Sequence, residues 1–437
     1  VRPRAALFVS VTRFEARRCA LISAASIALA GSSALSTRRA FAEPKPWTAP
    51  GEMPIPDWVR SAEVTRPDEP LYQAASAAEK KRGAAARGAR LPIFGAARGP
   101  GCAGRFLLVG SLAWICEDGA ALSRAAPDGA SLAPRSHDGL PYRYHFVGPD
   151  GSFGYRALET AEDGVPEAQL LKGFGVAVSR VENNPAGNAF GLTTEDLWVP
   201  MRDLSPVAPF PFHGKALTGT LNVAWVVSAN AQGSTEPNKP KNPKLKLARF
   251  QELTVLEERS VSGHRWFRYD DAAWLSDRDA RAPTSASPPS ELRPGERWLD
   301  VELAGQVLTA YVGDKPVFAT LVSTGRGAPK SETATPPGVH RIWVKLRTSD
   351  MDNLDDESAA ENYAIQAVPW VMYFERGYGL HGTFWHRDFG NKHSHGCVNL
   401  APIDAEYLFS WVSPKLPPGW TAALPTAYEP GTLVRVR

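Results

Sequence analysis

His381-Gly382-Thr383-Phe384-Trp385-His386-Arg387-Asp388-Phe389-Gly390-Asn391-Lys392-His393-Ser394-His395-Gly396-Cys397-Val398-Asn399 is the stretch of this chain that says most about it. Four of the chain's nine histidines fall between His381 and His395, and a cysteine follows directly. A thiol becomes a nucleophile as its thiolate, so it needs an imidazole or amide dipoles beside it. A second chemistry fits the same residues. His393, His395 and Cys397 alternate, so on an extended strand they would share one side and could hold zinc together with His381 or His386. Against a metal, Gly396 suits a close backbone approach rather than a rigid ligand strand, and no paired carboxylate stands near as a general base. A third reading is a structural cysteine among surface histidines. Polar neighbours make a poor wall for a packed apolar thiol, which disfavours it. The remaining reading is acyl transfer through a thiol, which needs no metal or other cofactor.

Working outward, the flanking sequence is β-rich. Short apolar runs at Leu299–Leu303, Val307–Tyr311, Val317–Val322 and Val339–Leu346, with a turn at Gly313-Asp314-Lys315-Pro316, predict hairpin strands. One helix is expected at Pro402–Trp411, where proline suits the first turn and Ile403, Tyr407, Leu408 and Trp411 make an apolar face. The proline- and serine-rich stretches 229–243 and 281–294 read as linkers. The second sets off a C-terminal domain at 296–437.

Upstream, short apolar runs punctuated by Gly and Pro indicate three further β segments, at 64–120, 140–228 and 244–280. A Trp followed by an aliphatic residue closes each of them, at Trp114-Ile115, Trp198-Val199 and Trp274-Leu275. The endings resemble bacterial SH3-like modules, which often bind cell walls. The expected fold class is therefore mostly β: a β-sandwich-like C-terminal domain preceded by small β-barrels.

The N-terminal residues carry Arg17-Arg18, an apolar run from Cys19 to Leu35 and Ala40-Phe41-Ala42. This order predicts a signal peptide at 1–42, export to the periplasm or cell wall, and a linker at 43–63. The run is too short and too serine-rich for a membrane span, so none is expected in the mature chain. Cys19 lacks the small apolar residues that precede a lipidated cysteine. Three cysteines then remain, and in an oxidising compartment the odd count predicts a Cys102–Cys116 pair with Cys397 left free. A net charge of +3 on 437 residues offers no dense basic face, which excludes a nucleic-acid backbone as partner.

His381-Gly382-Thr383 with Ser394-His395-Gly396-Cys397-Val398-Asn399 resembles the active-site motif of L,D-transpeptidases of the YkuD type. Ala319–Gly325, Thr335–Gly338 and Val368-Pro369-Trp370 extend the likeness over about Trp298 to Trp420. Many members carry Arg where Asn399 stands here. The resemblance implies Cys397 as nucleophile, His381 as proton acceptor and donor oriented by the Gly382 carbonyl, and the amides of His395, Gly396 and Cys397 around an oxyanion. Tyr363 and Asn399 would reach the substrate. The implied donor is a peptidoglycan stem peptide, cut after its third residue. The acceptor is a neighbouring stem's amine, water in an L,D-carboxypeptidase, or a lipoprotein lysine in an anchoring enzyme. A reading of another class is a wall-binding protein without catalysis.

Overall fold

The computed structural model describes residues 53–128, 138–208, 210–354 and 362–437. The expected signal peptide, its arginine pair and Cys19 lie outside these residues. Strands dominate, and among the described residues Pro402–Trp411 is the single α-helix.

In the C-terminal domain the strands are β1 (Arg297–Glu302), β2 (Val307–Val312), β3 (Lys315–Leu321), β4 (Gly338–Arg341), β5 (Val344–Asp352), β6 (Ala364–Glu375), β7 (Tyr378–Gly382), β8 (Val398–Leu400), β9 (Trp420–Ala423) and β10 (Leu433–Val436); the helix is α1. One sheet runs β3-β2-β1-β10-β4, with β10 parallel to β1. The other carries β5, β6, β7 and β8, the last two parallel. Between them and α1 lies a shared core of Leu299, Val301, Leu308, Phe318, Met372, Leu380, Val398, Leu400, Leu408 and Phe409. The expected single strand Val339–Leu346 is two. The chain leaves one sheet after Arg341 and enters the other at Val344, with buried Ile342 at the crossing. A sequence pattern of apolar residues is the same on both sides of such a crossing and does not mark it.

Helix α1 buries Ala405, Leu408 and Phe409 along with Asp404, while Tyr407 is exposed, so its inner face differs from the one expected. Both of its sides are apolar, and Tyr407 instead lies against Phe318 with ring centroids 4.6 Å apart. Buried Asp404 accepts the Gly214 amide at 2.9 Å and the Thr320 hydroxyl. Lys345, also buried, donates to the carbonyls of Phe409 and Val412 at the C-terminal end of the helix, and burial lowers its pKa to about 7.

Strands β1 to β3 are apolar on both faces, and the second face explains why. Val307, Ala319 and Leu321 pack under Phe212, Val223 and Trp225 of the upstream chain. Trp298, Tyr311 and Leu433 are covered by Ala286 and Leu292. The stretch 281–294, expected as a linker, is thus a packed strap, with Thr284 hydrogen-bonded to Glu302 and Arg437. The other expected linker is folded as well: Ala231-Gln232 pairs with Lys246-Leu247, and Ser234 is buried. Ser61–Val64, ending the stretch read as the first linker, pairs with Ala120–Ser123.

Upstream strands also join the second sheet. Lys81–Ala85 pairs with β9 (Gly83↔Ala423), and Gly175 meets Ile365 of β6 in parallel register. Trp114, Trp198 and Trp274 lie in the strands Ala113–Cys116, Trp198–Pro200 and Ala273–Ser276, and after the first two a single 3-10 turn leads into the next strand. A disulfide joins Cys102 and Cys116. No helix of the described residues is long and apolar enough to cross a membrane.

Candidate active site

The site forms where β7 ends and β8 begins. Their parallel register sets Leu380 against Val398 and His381 against Asn399, so Cys397 comes opposite Gly379, two residues ahead of His381 along the strand. His381 is 2 % exposed. Its Nδ1 lies 3.2 Å from the Gly382 carbonyl, which can only accept. The ring proton therefore sits on Nδ1, and Nε2 carries the lone pair that a base needs. The Thr383 hydroxyl, 3.3 Å from the same Nδ1, reinforces that tautomer. Burial depresses the His381 pKa to about 4, the Gly382 hydrogen bond opposing, so the ring is neutral at pH 7. Trp385 stacks on it at 5.6 Å.

Cys397 is half-buried and is the free cysteine of the described residues. Burial pushes its thiol up, while a hydrogen bond from the Gly379 amide pulls it down. Imidazole and thiol are thus both neutral at rest.

The loop before Cys397 is held from both sides. Ser394 Oγ donates to the Cys397 carbonyl and accepts the Gly396 amide at 3.1 Å. Thr335 Oγ1 donates to the Gly396 carbonyl at 2.7 Å and accepts the Gly325 amide at 2.8 Å. Gly396 has φ +123°, and a Cβ there would lie 2.4 Å from Tyr378 Cε1. Only glycine fits that turn. His395 accepts from Arg326 at 2.7 Å and stacks on Tyr363 at 6.1 Å. Burial, and then the charge that Cys397 carries when ionised, raise the Tyr363 pKa.

Asn399 points elsewhere. Its side chain is 3 % exposed and its amide meets His386 Nε2 at 2.8 Å. His386 Nδ1 already accepts the Asp388 amide at 3.1 Å, so its proton is on Nε2 and the amide oxygen of Asn399 is what can accept it. In that orientation the Oδ1 otherwise left without a partner is satisfied. The side chain of Asn399 is thus engaged by His386 within the loop. The alternating His393, His395 and Cys397 do not gather ligand atoms. Among the described residues the one such group is Cys102, Cys116 and Asp118, whose sulfurs are bonded to each other.

No role in the site was read from the sequence for Thr383, Ser394, Thr335 or Trp385. Thr383 and Ser394 lie inside the motif, and their position beside the base and the thiol was the available signal. Thr335 opens the Thr335–Gly338 stretch of the likeness, but nothing local marks its reach to Gly396 across 61 residues.

Residues 296–436 match the sequence profile of the L,D-transpeptidase catalytic domain, YkuD. Comparison with curated proteins gives no match. Among solved structures, a mutant L,D-transpeptidase of Enterococcus faecium is 22% identical over 32% of this chain and 50% of its own, with a TM-score of 0.24. The chain thus spans about half the length of that relative. The catalytic domain of the E. faecium enzyme is 24% identical over 33% of this chain and 98% of its own, TM-score 0.25. An L,D-transpeptidase from Mycobacterium smegmatis is 19% identical over 41% of this chain and 79% of its own, TM-score 0.26. The C-terminal third of this mostly β chain, residues 296–436, is an L,D-transpeptidase catalytic domain of the YkuD type.

Proposed function

We propose that the chain is a peptidoglycan L,D-transpeptidase working by thiol acyl transfer. The observation that carries this is the tautomer of His381: a ring locked by Gly382 with Nε2 free of the proton, on a strand paired to the one that Cys397 precedes. In the first step Cys397 Sγ attacks the carbonyl carbon of the third stem residue while His381 Nε2 takes the thiol proton. The S–C bond forms, the C–N bond to D-alanine breaks, and that proton leaves on the D-alanine amine. In the second step an acceptor amine gives a proton to His381 and attacks the thioester. The S–C bond breaks, and the proton returns to the sulfur.

The amides of His395, Gly396 and Cys397 are the donors for the oxyanion between these steps. The Gly396 amide would first have to leave Ser394 Oγ. Tyr363, stacked on His395 and 37% exposed, is the residue that would contact the donor peptide. No cofactor enters these steps. The Cys102–Cys116 bridge favours an exported chain, in the periplasm or cell wall.

The test is intact mass of the full chain after incubation with a disaccharide tetrapeptide or with imipenem. Covalent addition that Cys397→Ala abolishes is expected, with D-alanine released from the peptide. The product then identifies the acceptor, as cross-linked dimer, free tripeptide or a lysine-linked adduct. Absence of any adduct on the wild-type thiol would sink the assignment.

A further inference from the structure

The loop that runs from the base to the nucleophile is anchored to residues far upstream. Arg249 Nη2 lies 2.9 Å from Asp388 Oδ1. Arg281 Nε donates to the Gly390 carbonyl at 3.0 Å. Between these two ties Phe389 is fully buried and stacks on Phe210 at 5.6 Å and on Phe212 at 6.3 Å. Gly390 has φ +89°, and a Cβ there would come within 2.3 Å of Val227 Cγ1, so the loop backbone is seated against the upstream segment. Arg387 donates to the Ala208 carbonyl at 3.3 Å.

Asp388 is where these ties reach the site. Its amide donates to His386 Nδ1 at 3.1 Å, its carbonyl accepts Ser323 Oγ at 2.8 Å, and its carboxylate also takes Asn391 Nδ2 at 3.0 Å. His386 in turn holds Asn399, the ladder partner of His381. Trp385, on the same loop, covers the His381 ring.

We propose that residues 210–281 form an intramolecular clamp on the catalytic loop, with Arg249 and Arg281 as positioning residues that keep Trp385 and His386 seated against His381 and Asn399. This rests on the acyl-transfer reading given above. A catalytic group displaced by as little as 1 Å loses about a hundredfold in rate. The upstream chain is then part of the machinery through the loop it holds, without touching substrate.

The Arg249–Asp388 pair allows the clamp to be separated from folding. Its side chains are 33% and 40% exposed, and an ion pair so open to water adds little to overall stability. The experiment follows acylation of Cys397 by imipenem in the full chain, by intact mass over a range of inhibitor concentrations. Wild type, Arg249→Ala, Arg249→Lys and Arg281→Ala are compared, with thermal unfolding of each. Arg249→Ala is expected to slow the limiting acylation rate by roughly ten- to a hundredfold. Its half-saturating concentration and unfolding midpoint should stay where they are, and Arg249→Lys should recover part of the rate. A limiting rate in Arg249→Ala equal to wild type overturns the clamp. Should that variant unfold early, Arg249→Lys decides: it keeps the charge but loses the planar fork, and an unchanged rate again overturns the proposal. A wild-type chain that imipenem does not acylate removes the acyl-transfer reading itself, an outcome distinct from loss of the clamp alone.

Discussion

Adding one methyl group at Gly396 should cripple the site in a way that Tyr378 controls. The new Cβ would sit 2.4 Å from Tyr378 Cε1 and 2.7 Å from Cδ1, well inside contact. The ring has little room to yield, because its hydroxyl donates to the Glu332 carbonyl at 2.8 Å. The backbone must therefore move, and Cys397 is the next residue. Relief of the overlap needs a shift on the order of 1 Å, which at a reacting atom costs about a hundredfold. Apart from the clash, φ +123° is a conformation that an alanine adopts at a cost of about 1–3 kcal/mol. The assay is a double-mutant cycle on the rate of Cys397 acylation and on urea unfolding, with Gly396→Ala, Tyr378→Ala and both. Gly396→Ala alone should lose about two orders of magnitude in rate. In the Tyr378→Ala background the same change should lose much less, the remainder being backbone strain. Equal losses in the two backgrounds would show that the ring is not the obstacle and refute the steric argument.

Burial holds His381 near pKa 4, so the base stays unprotonated far below neutrality. The acylation rate should keep its plateau down to about pH 5 and fall only as pH drops through about 4, whereas an acid limb at the ordinary value of 6.5 would contradict the buried ring. The same depression enters stability: between about 4 and 6.5 the unfolded chain binds the extra proton, so the contribution is complete above 6.5 and is lost as pH falls towards 4. Urea midpoints at several pH values would read it. Replacing Cys102 and Cys116 by serine opens a loop with a sequence separation of 14 and should cost about 3 kcal/mol in unfolding. The bridged strand Ala113–Cys116 lies three strands out from β9, so the acylation rate should stay within about twofold; a tenfold loss would mean that the far end of the sheet bears on the thiol.

The local geometry of the site was legible in the residues because the motif makes it within itself. His381 with Gly382 makes its own tautomer lock, and Ser394, Gly396 and Cys397 make their own turn, through contacts one to three residues long. The hairpin of β2 and β3 and the start of α1 were legible for the same reason, from the Gly313 turn and from Pro402. Tertiary structure decided the rest. Asn399 stands in the motif as a polar residue two positions after Cys397, and only the folded chain brings His386 to its amide. The inner face of α1 could not be chosen from an apolar pattern that both faces satisfy. The upstream chain looked like separate modules on linkers. Its joining to the catalytic sheet depends on pairs such as Gly83↔Ala423 and Gly175↔Ile365, short registers between distant segments. A strand's propensity records that it will pair, while the partner is set by which buried face and which free edge the folded chain brings to it.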